Sequence, residues 1–437
     1  MRKLTFILMM ILAMSAFEPC IAQEKTSLQD EPKTIAESLA AIKQYRNELI
    51  RQNKDAMKAE EDFDKLVGKK VIERAKEYTL RFPLDKTQSA DLMNLARLHI
   101  EADQCETVGA IVARRLSEPG LSESGLADLL LESIDVAMSG RGPKSCKPIS
   151  LVDNAVGQLD AMGDGFLLKQ ITAYRLAVNF YSRDENKLEK AAKRYIELYK
   201  KLASADRTDN LRFGVYKAYT SLAGMYAAHG ENDRVKETFR EGVELLSPDP
   251  GAASTLSILK YDLGRYELPG QKAAPIEAEY WINRKSDNKP LSLTGKVTLI
   301  EFTAHWCVPC KETYPALMKM HKNYAKRGLD ILLVTSLYGY FGKDRNLTPE
   351  QEVVNDKKYF TEEWKMPFKV AVKTPFQAGS GGPGGDKNSR NYFSQAIPQF
   401  VLIDRKGTIK YVTTAWNTKI ETELMKHIED LLKGSKE

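Results

Sequence analysis

The sequence predicts two domains of different class: an all-α, repeat-like array of helical hairpins over residues 31–250, then an α/β domain with a mixed sheet over 268–437. Three observations carry this. The chain has 437 residues, more than a single hydrophobic core of ~250–300 residues accommodates. From Glu31 to about Pro250 apolar residues recur at helical spacing with almost no strand signal. After Gly270 β-branched and aromatic runs alternate with helical stretches, the grammar of an α/β domain.

At the amino end, Arg2-Lys3 precedes an apolar run from Leu4 to Phe17, and Ala22 offers a small residue before Gln23. This reads as an export signal over residues 1–22, cleaved near Ala22. The run is too short to span a bilayer. Glu18-Pro19 stands where a lipid-attachment signal needs small residues, which argues against an anchor on Cys20. The mature protein is therefore expected to be exported and periplasmic. The charges of the full chain, net +6, are interleaved and form no basic stripe with aromatics, so nucleic acid is not an expected partner.

In the helical part the apolar sets are Ile35/Leu39/Ile42, Leu66/Ile72/Ala75, Leu92/Leu95/Leu98, Leu126/Leu130/Ile134, Ile171/Leu176/Phe180 and Leu188/Tyr195/Leu198. The clearest helix pair runs from Tyr219 through Gly230 to Leu246, and its order of large, small, aromatic and Gly residues resembles one tetratricopeptide repeat. Looser echoes occur elsewhere without a clean period. Stacked hairpins would leave a concave surface, and the domain reads either as a spacer or dimerisation element or as a docking surface for a substrate or partner. Cys105 and Cys146 lie here, and in an exported chain they are candidates for one structural disulfide. Ser247-Pro-Asp-Pro-Gly251 and Leu268-Pro-Gly270 bracket a passage between domains at 251–267.

Strand signals follow at Val297–Phe302, Ile331–Thr335, Phe368–Val372, Gln399–Ile403 and Thr408–Thr413. Thr348-Pro349-Glu350-Gln351 announces one helix with a capping box, Thr418-Lys-Ile-Glu421 the last, and Asp404-Arg-Lys-Gly407 is a hairpin turn. The run Thr298 to Phe302 leads into Thr303-Ala-His-Trp306-Cys307-Val308-Pro309-Cys310, and Tyr314, Leu317, Met318, His321 and Tyr324 then repeat at helical spacing up to Gly328. Two cysteines three apart at a helix start can close a small disulfide, and the helix end favours a thiolate at the first of them. A zinc site would need four ligands, and this domain has no second C-x-x-C or His-rich partner; no metal is expected, and His305 is expected to face solvent. An inert structural disulfide is the other plain reading of the pair. The Gly-rich stretch 379–385 lacks a phosphate-binding ending and reads as a lid or linker.

With Trp306-Cys307-Val308-Pro309-Cys310, Pro315 five residues on, and Ile397-Pro398 directly before a strand, residues 268–437 resemble the thioredoxin superfamily, above all the exported TlpA/ResA-like thiol-disulfide oxidoreductases. Gly270 to Pro275, Leu293 to Val297 and Phe400 to Gly407 add to the likeness. The resemblance implies a thioredoxin fold and an enzyme without cofactor beyond the Cys307–Cys310 pair. Cys307 would be the nucleophile, with a pKa falling from ~8.5 towards ~7, and Cys310 would resolve the mixed disulfide. Glu301 stands where thioredoxins carry a buried Asp and would take the proton from Cys310; Trp306 would shield the pair and contact substrate. Pro398 would be cis, leaving the Ile397 backbone free to pair with an extended target, while Val308 and Pro309 stiffen the active-site turn. Thr313 departs from the Glu usual in the family, and Gln399 from the usual Thr. The expected partners are protein disulfides and a membrane thiol carrier as electron donor, with the protein working as a reductase. The alternatives are an oxidase or isomerase, and a helical-repeat binding protein whose second domain is an interaction module.

Overall fold

A computed structural model describes residues 31–53, 63–140, 146–285, 289–374, 385–414 and 416–434. The export signal with Cys20, and the Gly-rich stretch up to residue 384, lie outside the described residues. The chain forms two compact units that divide between Leu222 and Ala223.

The first unit is built of helices: α1 (Ile35–Gln52), α2 (Lys69–Thr79), α3 (Leu92–Glu101), α4 (Cys105–Leu116), α5 (Glu123–Met138), α6 (Ile149–Ala161), α7 (Leu167–Phe180) and α8 (Glu185–Lys201). Helix α9 (Asp209–Ala228) runs across the division. Consecutive helices pack in pairs, α3 on α4, α5 on α6 and α7 on α8. The periodicity holds fully at Leu92, Leu95 and Leu98 and at Leu188, Tyr195 and Leu198, all buried, and each other set keeps at least one half-buried member. In α2 and the turn before it, Ala75 is buried as expected, while Val67 and Val71 are buried in place of their half-buried neighbours Leu66 and Ile72. A helix stripe is wide enough for such neighbours to exchange places. The sulfurs of Cys105 and Cys146 are bonded, with their Cα atoms 5.5 Å apart, tying the start of α4 to the segment after α5.

The second unit holds α10 (Asn232–Leu246), α11 (Ala253–Glu267), α12 (Val308–Tyr324), α13 (Pro349–Lys358), α14 (Lys387–Asn391) and α15 (Thr418–Lys433). The residues expected to form the passage between domains are helical. They make up α11, which packs on α10 and reaches the α/β part through Gly264, where an added Cβ would lie 2.3 Å from the Phe393 ring. Only a residue without a side chain lets that aromatic sit against the helix.

Its strands are β1 (Tyr280–Ile282), β2 (Val297–Phe302), β3 (Leu329–Ser336), β4 (Tyr340–Phe341), β5 (Asp344–Arg345), β6 (Lys369–Lys373), β7 (Gln399–Ile403) and β8 (Ile409–Thr413). Six form one mixed sheet in the order β1-β6-β3-β2-β7-β8. Strand β2 is parallel to β3 and antiparallel to β7. All six β2 residues are buried, as a strand covered on both faces requires. Val297 and Leu299 enter one core cluster with residues of α12 and α15, and Ile300 and Phe302 enter the other. Period-two alternation therefore turns Glu301 to the α12 face.

Each predicted strand is present. Short β1 and the β4–β5 hairpin escape the sequence because two or three residues carry no measurable alternation. Thr348 and Gln351 form the capping box of α13, with Pro349 in its first turn. The last helix is capped one residue earlier than expected: Asn417 accepts from the Ile420 N–H, and Thr418 is already helical. Asp404 closes the β7–β8 turn by accepting from the backbone N–H of Lys406 and Thr408, with Gly407 at φ 74°.

Candidate active site

Strand β2 carries its backbone bonding one residue further, Thr303 N–H to the Val334 carbonyl, and then turns out of the sheet, closed by the Cys307 N–H on the Ala304 carbonyl. Helix α12 starts at once. Cys307 is its N-cap, and its sulfur accepts from the Cys310 N–H at 3.2 Å, which satisfies one donor of the helix end. Pro309 in the first turn loses no bond there. Pro315 lies inside the same helix and deprives the Lys311 carbonyl of its partner.

Cys307 and Cys310 form a disulfide with Cα atoms 5.3 Å apart. Cys310 is fully buried and Cys307 is 3% exposed, while Trp306 beside them is 36% exposed. Val308 and Pro309 are half-buried. Trp306 is held edge-on by Tyr338, with ring centroids 5.3 Å apart.

Behind the pair, Glu301 is fully buried and burial pushes its carboxyl well above the usual range. Its Oε1 lies 2.9 Å from the Thr313 hydroxyl, which also lies 2.7 Å from the Cys310 carbonyl. A hydroxyl has one hydrogen to give. Both contacts are hydrogen bonds together when Glu301 carries the proton and donates to Thr313, which then donates to the carbonyl. Oε2 has no hydrogen-bond partner among the described residues. A second buried contact, between the hydroxyls of Thr303 and Tyr314 at 2.8 Å, ties the end of β2 to α12.

In front, the Ile397–Pro398 peptide is cis. Gln399 is paired with Phe302, which places Pro398 at the end of the sheet where the Thr303 to Cys307 turn emerges. Pro398 is buried; Ile397 is half-buried and packs on the cluster that contains both cysteines. The Gln399 amide donates to the Tyr392 carbonyl at 2.7 Å, so this residue supports the loop before the proline. The structure thus brings Cys307, Cys310, Glu301, Trp306, Ile397 and Pro398 to one end of the sheet. Cys105 and Cys146 belong to the other unit.

His305 does not face solvent. It is 5% exposed, with Phe341 at 4.7 Å and Tyr340 at 5.4 Å between ring centroids and Asp356 beside it. A residue between a buried strand and an exposed Trp carries no local sign of which way it turns. Thr313, Tyr338, Glu352 and Asp356 also escape the sequence reading as site residues. The one signal was the i, i+4 spacing of Glu352 and Asp356, which puts both carboxyls on one face of α13.

Residues 282–426 match the family model described as Redoxin. The Thioredoxin-like protein YneN of Bacillus subtilis is 27% identical over 154 residues, covering 35% of this chain and 76% of YneN. The thiol-disulfide oxidoreductase ResA of Geobacillus kaustophilus is 24% identical over 137 residues, 31% of this chain, and the match spans 64% of ResA's own length. Among solved structures, the thioredoxin domain of a thiol-disulfide oxidoreductase from Bacteroides vulgatus is 20% identical, with a TM-score of 0.27, over 37% of this chain and 97% of that one.

Proposed function

We infer that this chain, a ResA-like thiol-disulfide oxidoreductase of the thioredoxin superfamily, works in the periplasm as a reductase of protein disulfides. The observation that carries the reading is the Cys307–Cys310 disulfide at the start of α12, with buried Glu301 behind it. In the reduced enzyme the Cys307 thiolate attacks a target disulfide; a Cys307–target disulfide forms and the other target sulfur leaves, taking up a proton. Cys310 gives its proton to Glu301, directly or through a water, and attacks Cys307. The second target sulfur leaves Cys307 as a thiolate and takes up a proton, and the enzyme is left oxidised, two electrons having passed to the target. A membrane dithiol carrier then reduces the pair again.

Trp306 covers the sulfurs, and the Ile397 backbone beside Pro398 pairs with an extended target segment. Val308 and Pro309 hold the turn. The signal at 1–22, helical domain at 31–250 and α/β domain at 268–437 belong to this reading, with α11 filling 251–267. The helical domain recruits or orients the target, and the Cys105–Cys146 bond stiffens it. Replacing Cys310 by Ser tests the mechanism: mixed disulfides through Cys307 are expected to accumulate, visible as adducts that a reductant dissolves. Partner capture that survives replacement of both cysteines, with no adduct, would make the α/β domain a binding module instead.

A further inference from the structure

Joined to Trp306 through the Tyr338 ring lies a second group of polar side chains that the thiol chemistry does not use. His305, Glu352 and Asp356 each offer one ligand atom, all within 4.8 Å of one another, and all three residues are buried. The side chains of His305 and Asp356 are 3% and 1% exposed. Among the described residues, neither ring nitrogen of His305 and neither carboxylate oxygen of Asp356 has a hydrogen-bond partner, and their one polar approach is to each other. Their surroundings are aromatic, Tyr338, Tyr340 and Phe341 all packing on the His305 ring. Two carboxyls in such a place are costly unless a cation compensates them.

The geometry suits a cation better than a direct pair. His305 Nδ1 lies 3.4 Å from Asp356 Oδ1, beyond the usual reach of a hydrogen bond, about 2.7–3.2 Å. It matches the edge of a tetrahedron whose ligands stand about 2.0–2.2 Å from a central zinc ion, about 3.4 Å. Glu352 is fixed from behind: its two oxygens accept from the backbone N–H of Tyr338 at 2.8 Å and of Gly339 at 2.7 Å. Each oxygen keeps a lone pair for a further ligand. An imidazole with two carboxylates is a donor set for a divalent first-row transition cation, and two carboxylates balance its charge.

We propose that His305, Asp356 and Glu352 form a binding site for one divalent transition-metal ion, with a fourth position open to water. The ion ties α13 and the Tyr338–Gly339 backbone to the active-site turn, because Tyr338 also packs on Trp306. The site stands independently of the redox reading, since it uses neither cysteine.

The test is metal binding to the oxidised full-length protein with Cys20 alkylated, so that disulfides hold the other four cysteines and no free thiol competes. After treatment with a chelator, titration with Co2+ is expected to give one equivalent bound with the intense visible bands of a four-coordinate ion, displaced by Zn2+. His305→Gln and Asp356→Asn should each weaken binding at least tenfold. X-ray absorption of the zinc-loaded native protein, which needs no variant to fold, should report one imidazole, oxygen ligands and no sulfur. No binding at millimolar metal, binding unchanged in both variants, or a shell with two imidazoles or sulfur would overturn the proposal.

Discussion

At the scale of single residues the site turns on how Glu301 holds its proton. Burial raises its pKa above the unfolded value. Between those two values the native state carries one proton more than the unfolded chain, so stability falls as pH rises through that window. Glu301→Gln, which copies the protonated shape, is expected to remove that fall, read as urea midpoints of the oxidised protein from pH 5 to 8. The same variant should lengthen the life of the mixed disulfide about 10²-fold, the usual worth of a positioned base. Thr313 is the partner of Glu301 inside the fold. Thr313→Val keeps its shape and leaves the carboxyl unpaired; the expected cost is about 1–3 kcal/mol in the same unfolding assay. A loss within error would mean that water takes over the bond. The family's usual Glu at this position makes Thr313 look like a departure, yet in the structure it completes a chain from Glu301 to the backbone of Cys310.

At the scale of elements, the unexpected piece is α11. Pro and Gly signals at both ends made 251–267 look like a passage, and both do mark real boundaries: Asp249 caps the turn at Pro250, and Gly270 takes φ 94° after the helix ends. What the signals could not say is that the stretch between them is a docked helix. Gly264 is the contact point, and Tyr261 on the same helix meets the Phe393 ring edge-on at 5.7 Å. Gly264→Ala is expected to destabilise the second unit by about 1–3 kcal/mol through overpacking. Adding Phe393→Leu should recover much of it, a coupling that a double-mutant cycle of urea midpoints would reveal. Additive effects would show that the helix does not depend on this contact.

At the scale of the whole molecule, legibility followed the range of the interaction. The Cys307–Cys310 turn, the buried strand before it, the helix after it and the proline before β7 each lie within a few residues of their own signal, and each is where the pattern put it. Glu301 was legible from its place inside an apolar strand six residues before Cys307, where thioredoxins carry a buried Asp, and β2 does lie between β3 and β7. His305 with Asp356, and Phe393 with Gly264, join residues far apart in the chain, and only the packed fold brings them together. The pairing of consecutive helices in the first unit agrees with the expected hairpins, while the residues that meet across each pair are a property of packing that local periodicity does not encode. The proposed reduction of disulfides through Cys307 and Cys310 is measured most directly by the redox equilibrium of that pair in thiol/disulfide buffers, read by alkylation. The account predicts a potential near or below that of thioredoxin, about −270 mV. A value near about −120 mV would make the protein an oxidant and contradict it.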